Sequence, residues 1–422
     1  MKLSRIGVAL LAAAALAAMS ACANPNISGG QGGGNALTVS ATTNEKPALE
    51  AIVAEYKKSH PDLDIQVTTA GVDQYQTTIR TQLSSGTGPD VLFVWPGNGN
   101  PAAMEVLQGA GYIEDLTSLG FADQVPEGIR SVTRVDGKPY IAPISFSGIG
   151  AIYNTGAVQE AGLTPPTTWT QLLQFCKDAR AKGKVAFALG SQTNWVTQLV
   201  NYALTPTLVY GPEPDFAQRM AAGQQTFVGS PWETAMQKYL DMNSSGCFND
   251  NPLGTNYEAS LASTARGDAL AVIQVNSAIA QMKLQAPDTT FEMLPVPATD
   301  NPDETRMAGA AGASYGVNAA GSRKKQALDF VKFMVSQDGM KIYAAANNAL
   351  PAIPYDGISP DPSLATLQEY QKAGRTDPYM DQLWPNARVQ QTHFAVVQDL
   401  FSGRVTIPEG LQRMDDAYRQ GA

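Results

Sequence analysis

The segment Gly312-Ala313-Ser314-Tyr315-Gly316 spells Gly-x-Ser-x-Gly, the pattern that lifts a serine nucleophile on a sharp strand-to-helix turn; Asp381 and His393 follow in the order of an acid–base relay. That chemistry is acyl transfer by a serine hydrolase using Ser314. It needs a helix directly behind the serine, whereas Tyr315 to Ala319 continues as extended chain and no helix can begin before about Ser322. In a chain this rich in Gly and Ala the pattern also arises cheaply. Glycoside hydrolysis needs two carboxylates facing across the scissile bond. Asp73, Glu105, Glu114 and Asp115 are available, but no spacing singles out a pair, and they read as solvated surface. A receptor for amino acids or anions calls for an Arg poised on a carboxylate, and Arg80 falls on the solvated face of a predicted helix. With His60 and His393 the only histidines and no clustered Cys/His spacing, a transition-metal site has little to be built from. The residues predict no catalytic centre, no metal and no cofactor.

A third kind of chemistry is written at the amino terminus. Lys2 and Arg5 form a positive region, Ile6 to Ala18 a short apolar one, and Met19-Ser20-Ala21-Cys22 places small residues before a cysteine. This resembles a bacterial lipoprotein signal, in which residues 1–21 are removed and Cys22 becomes the lipidated first residue. The resemblance implies a protein outside the cytoplasm, anchored to the cell membrane by lipid rather than by a span. Residues 22–35 are dominated by Gly and Asn and have almost nothing to bury, so they read as a flexible tether with a reach on the order of 20 Å. The two later cysteines, Cys176 and Cys247, then sit in an oxidising compartment and allow a single disulfide, the alternative being two buried thiols. A net charge of −9 with no basic run gives no electrostatic reason to bind nucleic acid.

The chain beyond residue 35 is long enough for two domains with real cores. Leu37-Thr38-Val39-Ser40-Ala41 alternates as a strand, Thr42-Thr43-Asn44 offers oxygens to cap a helix, and Leu49, Ile52, Val53 and Tyr56 fall at helical spacing. Leu63, Ile65 and Val67 resume a two-residue period, a helix is predicted around Tyr75 to Leu83, and Asp90 to Trp95 reads as a buried strand. This alternation means a parallel sheet covered by helices. In such sheets ligands bind beyond the carboxyl ends of the strands, which points to Thr43, Asn44, Trp95 and the loop carrying Asn98. Further on, 140–147 and 150–154 read as extended segments with Gly148 between them. Helices are predicted at 169–182, 196–204, 231–242 and 257–266, and strands at 269–275 and 291–296. Beyond them come a helix capped by Ser322 and a helical segment from Asp381 to the end.

Several segments together carry a family resemblance: Ser84-Ser85-Gly86-Thr87-Gly88-Pro89-Asp90-Val91, Ala142-Pro143 followed by Ile152-Tyr153-Asn154, the stretch from Gly267 to Val275, and Ala311-Gly312 leading through Ala327 to Phe333. Leu350-Pro351 and the terminal Phe401 to Thr406 fit as well. In order and spacing these resemble the extracellular solute-binding proteins of bacterial ABC importers, in particular the sugar-binding family that includes maltose-binding protein. The resemblance implies an α/β, two-lobe periplasmic-binding-protein fold of the type II kind. Its hinged cleft would hold the ligand, and the closed form would be recognised by permease subunits in the membrane. One lobe is expected from 36–145 plus 307–350, the other from 146–306 plus 351–422, in a monomer.

A sugar cleft needs polar side chains in the ring plane and aromatics above it. The stacking candidate is Trp95. By the family pattern Ser147 stands where a residue often hydrogen-bonds ligand, Asn194 and Trp195 open a helix of the second lobe, and Trp384 lies near a late stacking aromatic. Where many relatives read Gly-x-Trp, this chain has Val275-Asn276-Ser277, so Asn276 is expected to donate a hydrogen bond in place of an aromatic platform. Ser314 and Tyr315 bring a hydroxyl and a phenol to a crossing that relatives often leave bare. The function implied is capture of a sugar or small oligosaccharide for import. The alternatives are a binder of another solute (polyol, polyamine or peptide) and the serine hydrolase.

Overall fold

A computed structural model describes residues 36–420; the signal sequence, Cys22 and the tether lie outside the described residues. Leu37, Val39 and Ala41 are fully buried while Thr38 and Ser40 are half-buried, so β1 (Leu37–Thr42) faces a core on one side. It lies parallel to β2 (Ile65–Ala70) and β3 (Val91–Phe93) on its two flanks. Helix α1 (Lys46–Ser59) buries Leu49, Ile52 and Tyr56 along one stripe, and α2 (Val72–Ser84) does the same with Tyr75, Ile79 and Leu83. The expected cap at Thr42 to Asn44 is absent. Thr43–Glu45 instead forms a 3₁₀ turn without a side-chain cap, and Pro47 sits in the first turn of α1.

After β3 the chain makes the short β4 (Ala142–Pro143) and enters β5 (Ser145–Asn154), ten residues that are all buried. The strand is continuous through Gly148, where two segments were expected. A β-carbon there would stand 2.3 Å from Leu367 Cδ1, so the glycine serves close packing rather than a break. Next come α3 (Trp169–Ala181), β6 (Val185–Ala188), α4 (Trp232–Ser244), α5 (Tyr257–Ala265) and β7 (Ala269–Val275). Then follow α6 (Ala278–Gln285), β8 (Phe291–Leu294), β9 (Met307–Ala311) and β10 (Ser314–Val317). The last third holds α7 (Lys324–Met334), α8 (Gln337–Asn347), β11 (Leu350–Pro351), β12 (Thr376–Asp377), α9 (Ala387–Phe401) and α10 (Ile407–Arg419). Arg323, not Ser322, precedes α7 as its N-terminal flank, without a side-chain cap. Cys176 of α3 and Cys247, just after α4, are joined by a disulfide.

The strands form two main sheets. In the first the order is β2-β1-β3-β10-β4, with β10 antiparallel to both neighbours, so the sheet is mixed rather than purely parallel. In the second the order is β12-β9-β5-β7-β6, and β8 and β11 also pair with β5. The chain passes between the sheets at three places: Ile144, Gly312-Ala313, and Asn348-Ala349 after α8, which packs on α1. The hydrogen-bond ladders therefore correct the expected boundaries. Residues 307–311 pair with β5 in the second sheet, and Ser145 and Leu350 already belong to it.

The crossings are tied to one another. Ile144 N donates to Ala313 O at 2.8 Å, Gly312 N to Ser145 O at 2.8 Å, and Ala352 N to Ile144 O at 3.1 Å. Three bonded crossings resist shear while each backbone can still bend.

Candidate functional site

A cleft lies between the two sheets, in front of the crossings. It holds about 1090 Å³ of atom-free space, its open mouth included. One wall comes from the carboxyl ends of β1 and β3, as the strand-end rule anticipates: Asn44, Glu45 and Trp95. The facing wall comes from the second lobe and includes Trp195, Gln198, Tyr379 and Asp381; Ser145, Ser147 and Gly312 line the floor. Each wall thus carries one half-buried tryptophan. Trp95 rests edge-to-face on Phe93, with centroids 4.6 Å apart, and is 5.8 Å from Tyr75. Trp195 packs 4.9 Å from Tyr257 at the start of α5. Each indole is braced by further aromatics, which fixes its orientation.

Two carboxyl groups are buried at the cleft. Glu45 Oε2 accepts from Tyr343 Oη at 2.5 Å, and Asn347 Nδ2 donates to the same Tyr343 oxygen at 2.8 Å. Burial pushes the Glu45 pKa up to about 7 against the lowering effect of the Tyr343 hydroxyl. Asp381 Oδ2 accepts from Gln390 Nε2 at 3.1 Å, and burial pushes its pKa up to about 6. Among the described residues, no lysine or arginine lines the cleft.

Seven polar atoms of cleft residues are buried without a hydrogen-bond partner at bonding distance among the described residues; two of them, Tyr202 Oη and Asp381 Oδ1, interact with each other, and the other five are Gln198 Oε1, Gln274 Nε2, Asn347 Oδ1, Tyr379 Oη and Gln382 Oε1. Buried donors and acceptors are normally satisfied, because an orphaned one costs about 1–3 kcal/mol. The convergence of these five on one cavity, donors and acceptors mixed and none of them charged, is the pattern that a neutral, polyhydroxylated molecule would satisfy.

Of the residues singled out by sequence, Asn44, Trp95, Ser147, Trp195 and Asn276 line the cleft. Asn276 has a different task from the one expected. Its Oδ1 accepts from Gly148 N at 2.9 Å and its Nδ2 donates to Asn348 O at 2.7 Å, so the carboxamide ties β5 to the crossing at Asn348. Thr43 is exposed outside the cleft. Asn98 donates to Pro385 O at 2.6 Å, and Asn194 is an exposed residue whose Oδ1 accepts from Gln398 Nε2 at 3.1 Å. Trp384 is buried against Tyr202, Phe227, Trp232 and His393, filling the second lobe's aromatic core. Ser314 and Tyr315 lie within β10, fully buried by the strands on either side.

Gly-x-Ser-x-Gly is therefore a strand here and not an elbow. Ser314 Oγ donates back to Gly312 O at 3.1 Å. His393 Nε2 lies 2.9 Å from Asn201 Nδ2, and burial holds its pKa down at about 3. Asp381 bonds Gln390. Each group of the supposed relay is committed to a separate partner.

Sequence reasoning missed Glu45, although it directly follows Asn44 at a strand end and the same rule reaches it. Gln382 and Tyr379 carried no signal, and Asp381 was read only as the acid of a relay: they sit in and beside a 3₁₀ turn after β12 and are brought to the cleft by the β9–β12 pairing and the Gln382 Nε2 bond to Ala311 O.

Residues 40–341 match the family model described as bacterial extracellular solute-binding protein. The chain is 23% identical over 332 residues to the multiple sugar-binding protein of Streptococcus mutans, covering 78% of this chain and 77% of the relative. It is 22% identical over 352 residues to the melibiose/raffinose/stachyose-binding protein MelE of Bacillus subtilis, covering 82% and 80%. Among solved structures, one from work on xylan utilization by Caldanaerobius polysaccharolyticus superposes with a TM-score of 0.78 at 22% identity, covering 90% of this chain and 99% of that one. With the matched segment taking in most of its length, the chain belongs to the family of bacterial extracellular solute-binding proteins.

Proposed function

We propose that this protein captures a sugar or small oligosaccharide in the cleft and hands it to the permease subunits of an ABC importer. The observation that carries the reading is the pairing of one braced tryptophan on each wall, Trp95 and Trp195, with uncharged polar atoms left unpartnered between them. A pyranose offers an apolar face to an indole and hydroxyls to the amides of Gln198, Gln274 and Gln382. Asp381, ionised above about pH 6, supplies a charged acceptor for sugar hydroxyls, and Glu45, which holds its proton up to about pH 7, offers a carboxyl that can donate as well as accept. The relatives named for melibiose, raffinose, stachyose and multiple sugars support the same class.

Two lobes bending about the three crossings would close over the ligand, which biases the closed state by contacts that only that state offers. In this reading the chain acts as a receptor and performs no catalysis. In the same reading Cys22 is its lipid anchor and residues 22–35 its tether, which replaces free diffusion toward the permease with a high effective concentration.

A thermal-shift series on the mature protein tests the reading. Sugars that bind raise the unfolding temperature in proportion to the logarithm of their concentration. Shifts with amino acids or polyamines alone would overturn the carbohydrate assignment. Cys22→Ala should release the protein from membranes and leave the thermal shift intact.

A further inference from the structure

Two contacts join the lobes on opposite flanks of the cleft. From them the geometry points to a length filter: the closed receptor selects short saccharides that end inside the cleft over chains that run through it. This deepens the carbohydrate reading above and rests on it.

The first contact is made by the loop 96–100. Its own lobe holds it firmly: Met104 N donates to Trp95 O at 2.8 Å and Gly97 N to Val132 O at 2.8 Å. Its outer edge meets the second lobe backbone to backbone. A β-carbon on Gly97 would stand 2.2 Å from Gln382 O, and one on Gly99 would stand 2.1 Å from Asp381 O, so only glycine permits the approach. Asn98 Nδ2 fastens it to Pro385 O at 2.6 Å. Pro96, Asp381 and Gln382 line the cleft just inside this seam, which is therefore a wall and not a gap.

The second contact is a hydrogen bond from Gln281 Nε2 of α6 to Asn44 Oδ1 at 2.6 Å. α6 is braced at both ends. Asn276 before it is pinned to Gly148 and Asn348, and Lys283 pairs with Asp361 at 2.9 Å.

Sheet order separates the two contacts. The segment 381–385 follows β12 and α6 follows β7, and β9 and β5 lie between those strands. On the second lobe three strand spacings of roughly 4.8 Å place the two roots about 14 Å apart, while on the first lobe they follow the neighbouring strands β1 and β3 and so converge there. The crossings at Ile144 and Gly312 rise from β5 and β9, between them. A saccharide laid along the cleft thus meets the backbone seam at one end and the Gln281–Asn44 bridge at the other, and a longer chain binds only by opening one of them.

Calorimetric titration of the mature protein with two length ladders, α-galactosides from raffinose upward and xylo-oligosaccharides, tests the filter. In the ladder that binds, affinity should peak at a short member and fall at least 100-fold for longer ones, and Gly99→Ala should flatten that fall. Equal affinity at all lengths, or a Gly99→Ala variant that weakens every length alike, overturns the filter. If neither ladder binds, the fault lies with the carbohydrate reading, and the contacts are read without ligand. Spin labels on Glu50→Cys of α1 and Leu284→Cys of α6 should show a closed-distance population that Gly99→Ala and Gln281→Ala each deplete several-fold. Distance distributions that superimpose on the parent's would overturn the contacts themselves.

Discussion

Gly312 and Ser147 touch where the central crossings run side by side: a β-carbon on Gly312 would stand 2.0 Å from Ser147 Oγ and 2.6 Å from Ser145 Oγ. Ser145 Oγ is itself held, accepting from Ala313 N at 2.9 Å. The hinge is thus narrow because one residue lacks a side chain, and that narrowness brings Ser147 to the cleft floor.

Gly312→Ala should therefore push the crossings apart, at about 1–3 kcal/mol of stability by overpacking, and weaken ligand capture. Gly128→Ala is the control, since nothing lies within 4 Å of the β-carbon it would add. Urea unfolding of the two variants should separate them clearly; equal midpoints would mean that the hinge tolerates a methyl.

Glu45 makes stability depend on pH in a defined direction. Between pH 4.5, its ordinary value, and about 7, the folded protein keeps a proton that the unfolded chain has released. Stability from this group is therefore present below that window and lost as pH rises through it. Glu45→Gln removes the dependence, so it should match the parent at pH 4.5 and exceed it at pH 8 by an amount on the order of 1–3 kcal/mol. A difference that does not change between the two pH values would contradict the assignment.

Ser314→Ala distinguishes strand from nucleophile. The variant loses one buried hydrogen bond, to Gly312 O, worth about 1 kcal/mol, and should bind ligand as the parent does. A serine-directed fluorophosphonate should label neither protein. Labelling of the parent that the variant abolishes would restore the hydrolase.

The first βαβ units were legible because burial alternates at two residues in β1 and at three to four in α1, periods that local sequence displays directly. Trp95 was legible for the same reason, as the aromatic at a strand's carboxyl end. Asn98 and Pro385 lie 287 residues apart in sequence, and nothing local to either announces their contact. Trp384 illustrates the converse: its position suggested stacking on ligand, but the aromatic core formed with Tyr202 and Trp232 claims it, an outcome set by packing across the second lobe. Strand pattern alone also could not say which sheet residues 307–311 would join, because an all-buried strand fits either side of a crossing.

Tryptophan fluorescence under sugar titration tests the central claim most directly. With raffinose-type α-galactosides, xylo-oligosaccharides, amino acids and polyamines as probes, at least one carbohydrate should change the emission saturably. The change should shrink in Trp95→Ala and in Trp195→Ala while both variants stay folded, and affinity should fall by about 5- to 30-fold in each, as a stacking contact of about 1–2 kcal/mol implies. A saturable response to amino acids or polyamines alone, or a sugar response that survives both substitutions unchanged, would contradict a carbohydrate held between the two indoles.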